Sequence, residues 1–160
     1  MLDDDVRIRP AEPGEAELLT DVAWCSKEYW DYPVDMMVHF RDFLTITDEF
    51  IENNPTYLAE NEATGEILGF YAIELHDDSG WWIRHLWVVP EHIGTGIGGE
   101  LFLHACETAE TVGADELNII AAPNVEEFYL HMGAERVGEE IQRAGDAERQ
   151  LLIMKIRLCP

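Results

Sequence analysis

The sequence predicts an α/β (α+β) domain of about seven strands and about four helices, on three observations. Apolar residues recur at helical spacing over the first third, then the pattern turns to consecutive β-rich runs after Asn53–Pro55. Those runs are short, aromatic and β-branched, and turn signals separate them, as in an antiparallel meander. A glycine-rich turn, Gly94 to Gly99, then opens a long amphipathic stretch that leads into a strand, a helix and two more strands.

The first strand is "VRIRP" (6–10). The segment "AEPGEAELLTDVAWCSKEYW" (11–30) carries Ala16, Leu19 and Ala23 at helical spacing. Acidic residues near its start suit a helix dipole. "DYP" breaks this helix, and "VDMMVHFRDFL" (34–44) repeats the helical pattern. "TDEFIENNP" (47–55) adds a shorter helical piece stopped by Asn-Asn-Pro. "TYLAEN" (56–61), "EILGFYAIEL" (66–75) and "WWIRHLWVV" (81–89) read as consecutive antiparallel strands, parted by "EATG" and "HDDSG". From Gly96 a helix of about four turns runs to Val112, with Ile97, Leu101, Ala105, Ala109 and Val112 on one face. Gly113 is placed to cap its C-terminus. "ELNIIAA" (116–122) is a buried strand. "NVEEFYLHM" (124–132) is a short helix capped by Asn124 and ended by Gly133. "ERVGEEI" (135–141) and "QLLIMKIRL" (150–158) close the chain as two strands with "QRAGDAER" between them. No internal repeat or linker interrupts this order, so residues 1–160 read as one domain.

Composition narrows the function classes. The chain has 33 acidic and 10 basic residues, a net charge of −23, and only two lysines, Lys27 and Lys155. Such a surface repels nucleic acid and anionic membranes. At 47% hydrophobic content the chain is too apolar to be disordered. Acid enrichment together with lysine depletion points to a cytoplasm with molar salt, where the Debye length falls to about 3 Å and self-repulsion is screened. No apolar run approaches the roughly 18–20 residues of a membrane span. "MLDDDVRIRP" has no signal-peptide core, so a cytoplasmic location is expected. Cys25, Cys106 and Cys159 show no paired spacing and read as reduced thiols, with Cys106 a small core residue. The six histidines lack ligand spacing with cysteine or acid, so no metal is expected.

The turn "VVPEHIGTGIGGELF" (88–102) carries the chemistry. A P-loop would need Gly-Lys-Ser/Thr, and no lysine lies here. A dinucleotide fingerprint would follow the first strand of a βαβ unit, whereas Gly94, Gly96, Gly98 and Gly99 follow a fourth strand. What remains is the general mechanism of helix N-terminal N–H groups and a dipole binding an anion, with glycines permitting close approach. Such a turn also serves purely structural ends, and the glycines alone do not decide between the two.

Together with "NIIAAPNVEEFYLHMGAERVGE" (118–139), the turn and its place in the element order resemble the GNAT superfamily of acyl-CoA-dependent N-acetyltransferases. The resemblance implies the GNAT fold, a mixed, mostly antiparallel central sheet flanked by helices, with acetyl-CoA as co-substrate. It implies that the turn Ile93, Gly94, Thr95, Gly96, Ile97 and Gly98 holds the pyrophosphate. The preceding strand would pair with the pantetheine arm, and a backbone N–H near Val88 or Val89 would polarise the thioester. Asn124 would contact the pantetheine amides, cap its helix, or do both. Tyr129 would be the general acid, or else a core aromatic, a role Phe128 fills more naturally. "SKEYWDYP" (26–33) looks like the first-helix region of an uncharacterised branch of that superfamily. There Tyr29, Trp30 and Tyr32 would enclose an amine by cation–π contacts or pack the helix.

Two departures stand out. The family's Gln/Arg position is Ile93 and its frequently basic position is Thr95, which leaves backbone N–H groups, the dipole and the Thr95 hydroxyl for the pyrophosphate. The strand "WWIR" has no carboxylate base. His85 is the nearest titratable group on it, Glu74 and His76 could act through water, and an amine of lowered pKa could react unaided. Strand alternation puts Trp81, Ile83, His85 and Trp87 on one face and Trp82, Arg84, Leu86 and Val88 on the other. The expected activity is acetyl transfer from acetyl-CoA to a primary amine of a small molecule in a ternary complex. The alternatives are a non-catalytic acyl-CoA-binding module and a protein N-terminal or lysine acetyltransferase. A homodimer is allowed, with "LLIMKI" extending a sheet across the interface.

Overall fold

The computed structural model describes residues 5–144 and 147–158, so Cys159 lies outside the described residues. Seven strands form one sheet: β1 (Val6–Pro10), β2 (Thr56–Asn61), β3 (Ile67–His76), β4 (Gly80–Val88), β5 (Glu116–Ala121), β6 (Glu135–Ala144) and β7 (Ala147–Arg157). The helices are α1 (Ala16–Glu28), α2 (Val34–Leu44), α3 (Asp48–Asn53), α4 (Ile97–Thr111) and α5 (Glu126–His131). The short piece at 47–55 is a fifth helix, capped by the Thr47 hydroxyl, which accepts the Phe50 amide at 3.0 Å.

The sheet order is β1-β2-β3-β4-β5-β7-β6, and every neighbouring pair is antiparallel except β4–β5. The sheet is therefore mixed and mostly antiparallel, as the resemblance implies. Helices cover both faces. On one, α4 and α5 bury Ile97, Leu101, Phe102, Ala105, Ala109 and Tyr129 against Tyr71, Ile73, Leu117 and Ile119. On the other, α1, α2 and α3 bury Leu19, Ala23, Phe40, Leu44 and Ile51 against Leu58 and Phe70.

Three expectations are corrected. "QRAGDAER" is mostly strand, because β6 and β7 pair from Glu135↔Lys155 to Ala144↔Ala147. The apolar β7 lies between β5 and β6, so both its edges are occupied and it cannot extend a sheet across an interface. The alternation along β4 also breaks. Ala72 pairs with His85 but Ile73 pairs with Ile83, a bulge that gives β4 one extra residue. Trp81, Ile83, Leu86 and Val88 therefore join the α4 side, while His85 and Trp87 join the α1–α2 side.

Candidate functional site

The site begins where the sheet stops closing. β4 and β5 pair only at Trp82↔Asn118 and Ile83↔Ile119. The Asn118 side-chain amide pins that closed end, donating to the Ser79 and Trp81 carbonyls at 3.0 Å each. Beyond it the strands diverge and a cavity of about 660 Å³ occupies the split. Its lining comes from both faces: Gly94, Gly96, Gly98 and Tyr129 from the α4–α5 side, Lys27, Trp30, Tyr32 and Phe43 from the α1–α2 side.

Backbone geometry aims donors into this space. The Val89 amide donates to the Leu68 carbonyl at 2.9 Å, so Val89 is hydrogen-bonded to β3. In an antiparallel ladder the neighbouring pair, Gly69↔Val88, faces its amides the other way, and so does Tyr71↔Leu86. The Leu86 and Val88 N–H groups thus point toward the split, and the Val89 N–H does not.

At the open end, α4 starts from Gly96, whose φ of 96° belongs to the left-handed region; Gly94 is also there at 87°. The first intrahelical bond is Glu100 N–H to the Gly96 carbonyl, so the amides of Ile97, Gly98 and Gly99 lack helical acceptors. The Ile97 side chain turns into the core. The Thr95 hydroxyl donates to the His92 carbonyl at 2.6 Å and is not a free donor for phosphate. The cradle is therefore backbone and dipole.

Tyr129 is buried against Phe102 and Phe128, with centroid separations of 5.7 and 5.0 Å. Burial pushes its phenol well above the ordinary tyrosine range, so it stays protonated. Its hydroxyl makes no hydrogen bond to another described residue, and the residue lines the cavity. Phe128 is the less buried of the two, opposite to the sequence expectation. Asn124 lies in a 3-10 turn, Pro123–Val125, and does not cap α5, whose N-cap is Val125; it faces the cavity instead.

His85 is buried, and burial, then Arg84, holds its imidazole well below the ordinary histidine value. Its Nδ1 accepts the Trp87 indole N–H at 2.9 Å, so the ring proton of the neutral imidazole sits on Nε2. His76 and Glu74 contact each other at 2.9 Å in an exposed setting. Tyr29 is 53% exposed and lines a different groove, with Cys25 and Pro90. Trp30 and Tyr32 do line the cavity, but the Tyr32 ring is already covered by the protein's own Lys27, whose Nζ lies 4.4 Å from its centroid.

Lys27 and Arg149 are the residues that sequence reasoning missed. Burial, then Arg149, lowers the Lys27 ammonium from 10.5 to about 7. The only signal available was the scarcity of lysine, which made an isolated Lys27 at a helix end worth asking about. Cys106 is half-buried, its thiol pushed up to about 11 by burial and then Glu110.

A family model described as the acetyltransferase (GNAT) family matches residues 17–134. Among solved structures the chain is similar to a GCN5-related N-acetyltransferase from Rhodopseudomonas palustris, at 20% identity and TM-score 0.78, covering 99% of each chain. It is also similar to PaiA N-acetyltransferase from Thermoplasma acidophilum in complex with coenzyme A: 18% identity, TM-score 0.70, covering 95% of this chain and 98% of that one. A third is a GNAT family acetyltransferase from Elizabethkingia anophelis with acetyl-CoA bound: 18% identity, TM-score 0.67, covering 98% and 100%. Among curated proteins none matches the chain.

Proposed function

The chain belongs to the acetyltransferase (GNAT) family, and from that premise we propose that it transfers acetyl from acetyl-CoA to a primary amine of a small molecule, within a ternary complex. The split between β4 and β5 carries this reading. It leads from a helix N-terminus with open amides, past outward-turned strand amides and an unpartnered phenol, to a wall on the opposite face of the sheet.

On this reading the pyrophosphate rests on the amides of Ile97, Gly98 and Gly99, between the turns of Gly94 and Gly96. The pantetheine arm takes the place of the missing sheet neighbour along Leu86–Val88, and Asn124 supplies a side-chain amide beside it. The Val88 N–H meets the thioester oxygen as charge develops there. The acceptor nitrogen attacks the carbonyl carbon, the C–S bond breaks, and the leaving thiolate takes the Tyr129 proton. The acetylated nitrogen loses its surplus proton to water, and the phenol regains one from solvent. Trp30 and Tyr32 belong to the acceptor half.

The acceptor must arrive as a free amine. His85 is poorly placed to help, because Trp87 occupies its Nδ1 lone pair. We give it a positioning role. Lys27 supports deprotonation by environment: the same wall that lowers its ammonium to about 7 disfavours any ammonium beside it. The acceptor then sheds its proton to water and needs no side-chain base. The acidic composition suits a salt-rich cytoplasm.

Thiol release from acetyl-CoA across a panel of amines and peptides in high salt tests the reading. Turnover of small amines is expected. Clear cofactor binding without any turnover would overturn it. Tyr129→Phe is expected to lower kcat by about 10²-fold or more with cofactor affinity unchanged; an unaltered kcat would remove the phenol from the mechanism.

A further inference from the structure

The cavity wall on the α1–α2 side is cationic, in a chain whose acids outnumber its bases 33 to 10. Lys27, Arg84 and Arg149 all line it. Phe40 and Phe43 stand three residues apart on α2 and therefore face the same way. The Arg149 guanidinium lies 4.5 Å from the Phe40 centroid and that of Arg84 4.1 Å from the Phe43 centroid. Lys27 Nζ lies 4.7 Å from Phe40. Three cations thus share one aromatic shelf.

Two of these cations have no counterion among the described residues, and the third has a distant one. Among the described residues Lys27 and Arg149 make no ion pair, and the nearest carboxylate to Arg84 is Glu74, 3.9 Å from Nε. Arg149 Nε donates to the Gln142 Oε1 at 2.8 Å, and Arg84 Nη2 reaches only the Phe43 carbonyl at 3.5 Å. Nη1 of each guanidinium is buried without a partner. A buried charged donor left unmade is costly, and the N–H fork of a guanidinium matches the two oxygens of a carboxylate. Burial is the largest influence on all three and lowers their pKa values, Glu74 opposing it at Arg84 and Tyr32 at Arg149. On the acetyl-transfer reading coenzyme A does not fill this need, because that reading puts its phosphates at the Gly94–Gly98 turn on the other face.

We propose that the acceptor is an amino carboxylate, its carboxylate bound by the cavity-lining guanidinium groups of Arg84 and Arg149 beside Lys27, its amine presented to the thioester. This rests on the acetyl-transfer reading. It narrows the acceptor from any small amine to one carrying its own anion, which an acidic surface alone would not suggest.

The test compares the standard amino acids with their decarboxylated amines as acceptors, by thiol release, in wild type and in Arg149→Met and Arg149→Lys. The best amino acid is expected to exceed its decarboxylated partner in kcat/KM by about 100-fold or more. Arg149→Met should cut that preference to below about tenfold, mainly through KM, with acetyl-CoA affinity by calorimetry unchanged. Arg149→Met removes a buried, half-satisfied charge, so it should fold, and Arg149→Lys keeps the charge while losing the fork. Equal or better turnover of the decarboxylated amines, or a preference untouched in Arg149→Met, overturns the proposal. If nothing is turned over, calorimetric titration of the acetyl-CoA-saturated protein separates the two readings. Carboxylate-selective binding that is lost in Arg149→Met upholds the carboxylate site and counts against acetyl transfer. No carboxylate-selective binding overturns the site.

Discussion

Lys27 is 8% exposed, held over Tyr32 and Phe40, and its ammonium is lowered from 10.5 to about 7 by burial and then Arg149. The folded protein therefore releases this proton near pH 7, while the unfolded chain keeps it to about 10.5. Between those values the unfolded state binds more protons, so this group's contribution to stability rises with pH across that window. Below pH 7 both states are charged and the full desolvation penalty applies. Lys27→Met should thus stabilise the protein at pH 6 by up to a few kcal/mol, since a tenfold change in proton affinity is worth about 1.4 kcal/mol, with the gain shrinking toward pH 10. Urea unfolding at the two pH values measures this, and an equal change at both would contradict the burial of a charge. His85 yields a second prediction. His85→Asn keeps a side-chain acceptor for the Trp87 indole but cannot titrate. Its kcat is expected within about threefold of wild type; a loss of about 10²-fold, with an altered pH profile, would restore His85 as the base.

At the scale of elements, β4 and α4 do most of the positioning, and their two glycine roles separate cleanly. Gly96 has a φ of 96° at the N-cap of α4, so Gly96→Ala should cost about 1–2 kcal/mol of stability. Gly98 is an ordinary helical residue, and a Cβ there would meet Phe128 and Val88 at 3.6 Å, an ordinary contact. Gly98→Ala should leave Tm unchanged or slightly raised, yet weaken coenzyme A binding by about tenfold or more, because the methyl would stand in the cradle. Wild-type affinity in Gly98→Ala would mean that no phosphate approaches that amide. The turn was legible in the sequence because left-handed backbone between a strand and a helix selects glycine. The bulge at Arg84 and His85 was not, since period-two alternation carries no mark of an inserted residue, and it reassigned the faces of half the strand. The Asn124 cap failed for a similar reason: a proline-initiated 3-10 turn moved the N-cap one residue along, to Val125. Lys27 and Arg149 are far apart in the chain and meet only because α1 and β7 converge on Phe40, a contact made by sheet order.

Over the whole molecule, the ten basic residues are distributed unevenly. Arg7, Arg9, Arg136, Arg143 and Lys155 are taken up by pairs with glutamates, and three more face the cavity. The remaining acidic surface is uncompensated, and −23 charges repel one another over a Debye length of about 10 Å at 0.1 M salt but only about 3 Å at 1 M. The same repulsion acts on an incoming coenzyme A. In most phosphate sites added salt weakens binding, because it screens charge-assisted contacts. Here the turn has uncharged Ile93 and Thr95 beside its backbone amides, so few local attractions exist to be screened. Long-range repulsion then sets the sign. Acetyl-CoA is expected to bind more tightly at about 2 M KCl than at about 0.1 M by calorimetry, and the urea midpoint should rise over the same range. A rising midpoint with weaker cofactor binding would leave the self-repulsion account standing and place an unrecognised cation at the cradle. A midpoint that does not rise would remove the electrostatic account of the composition altogether.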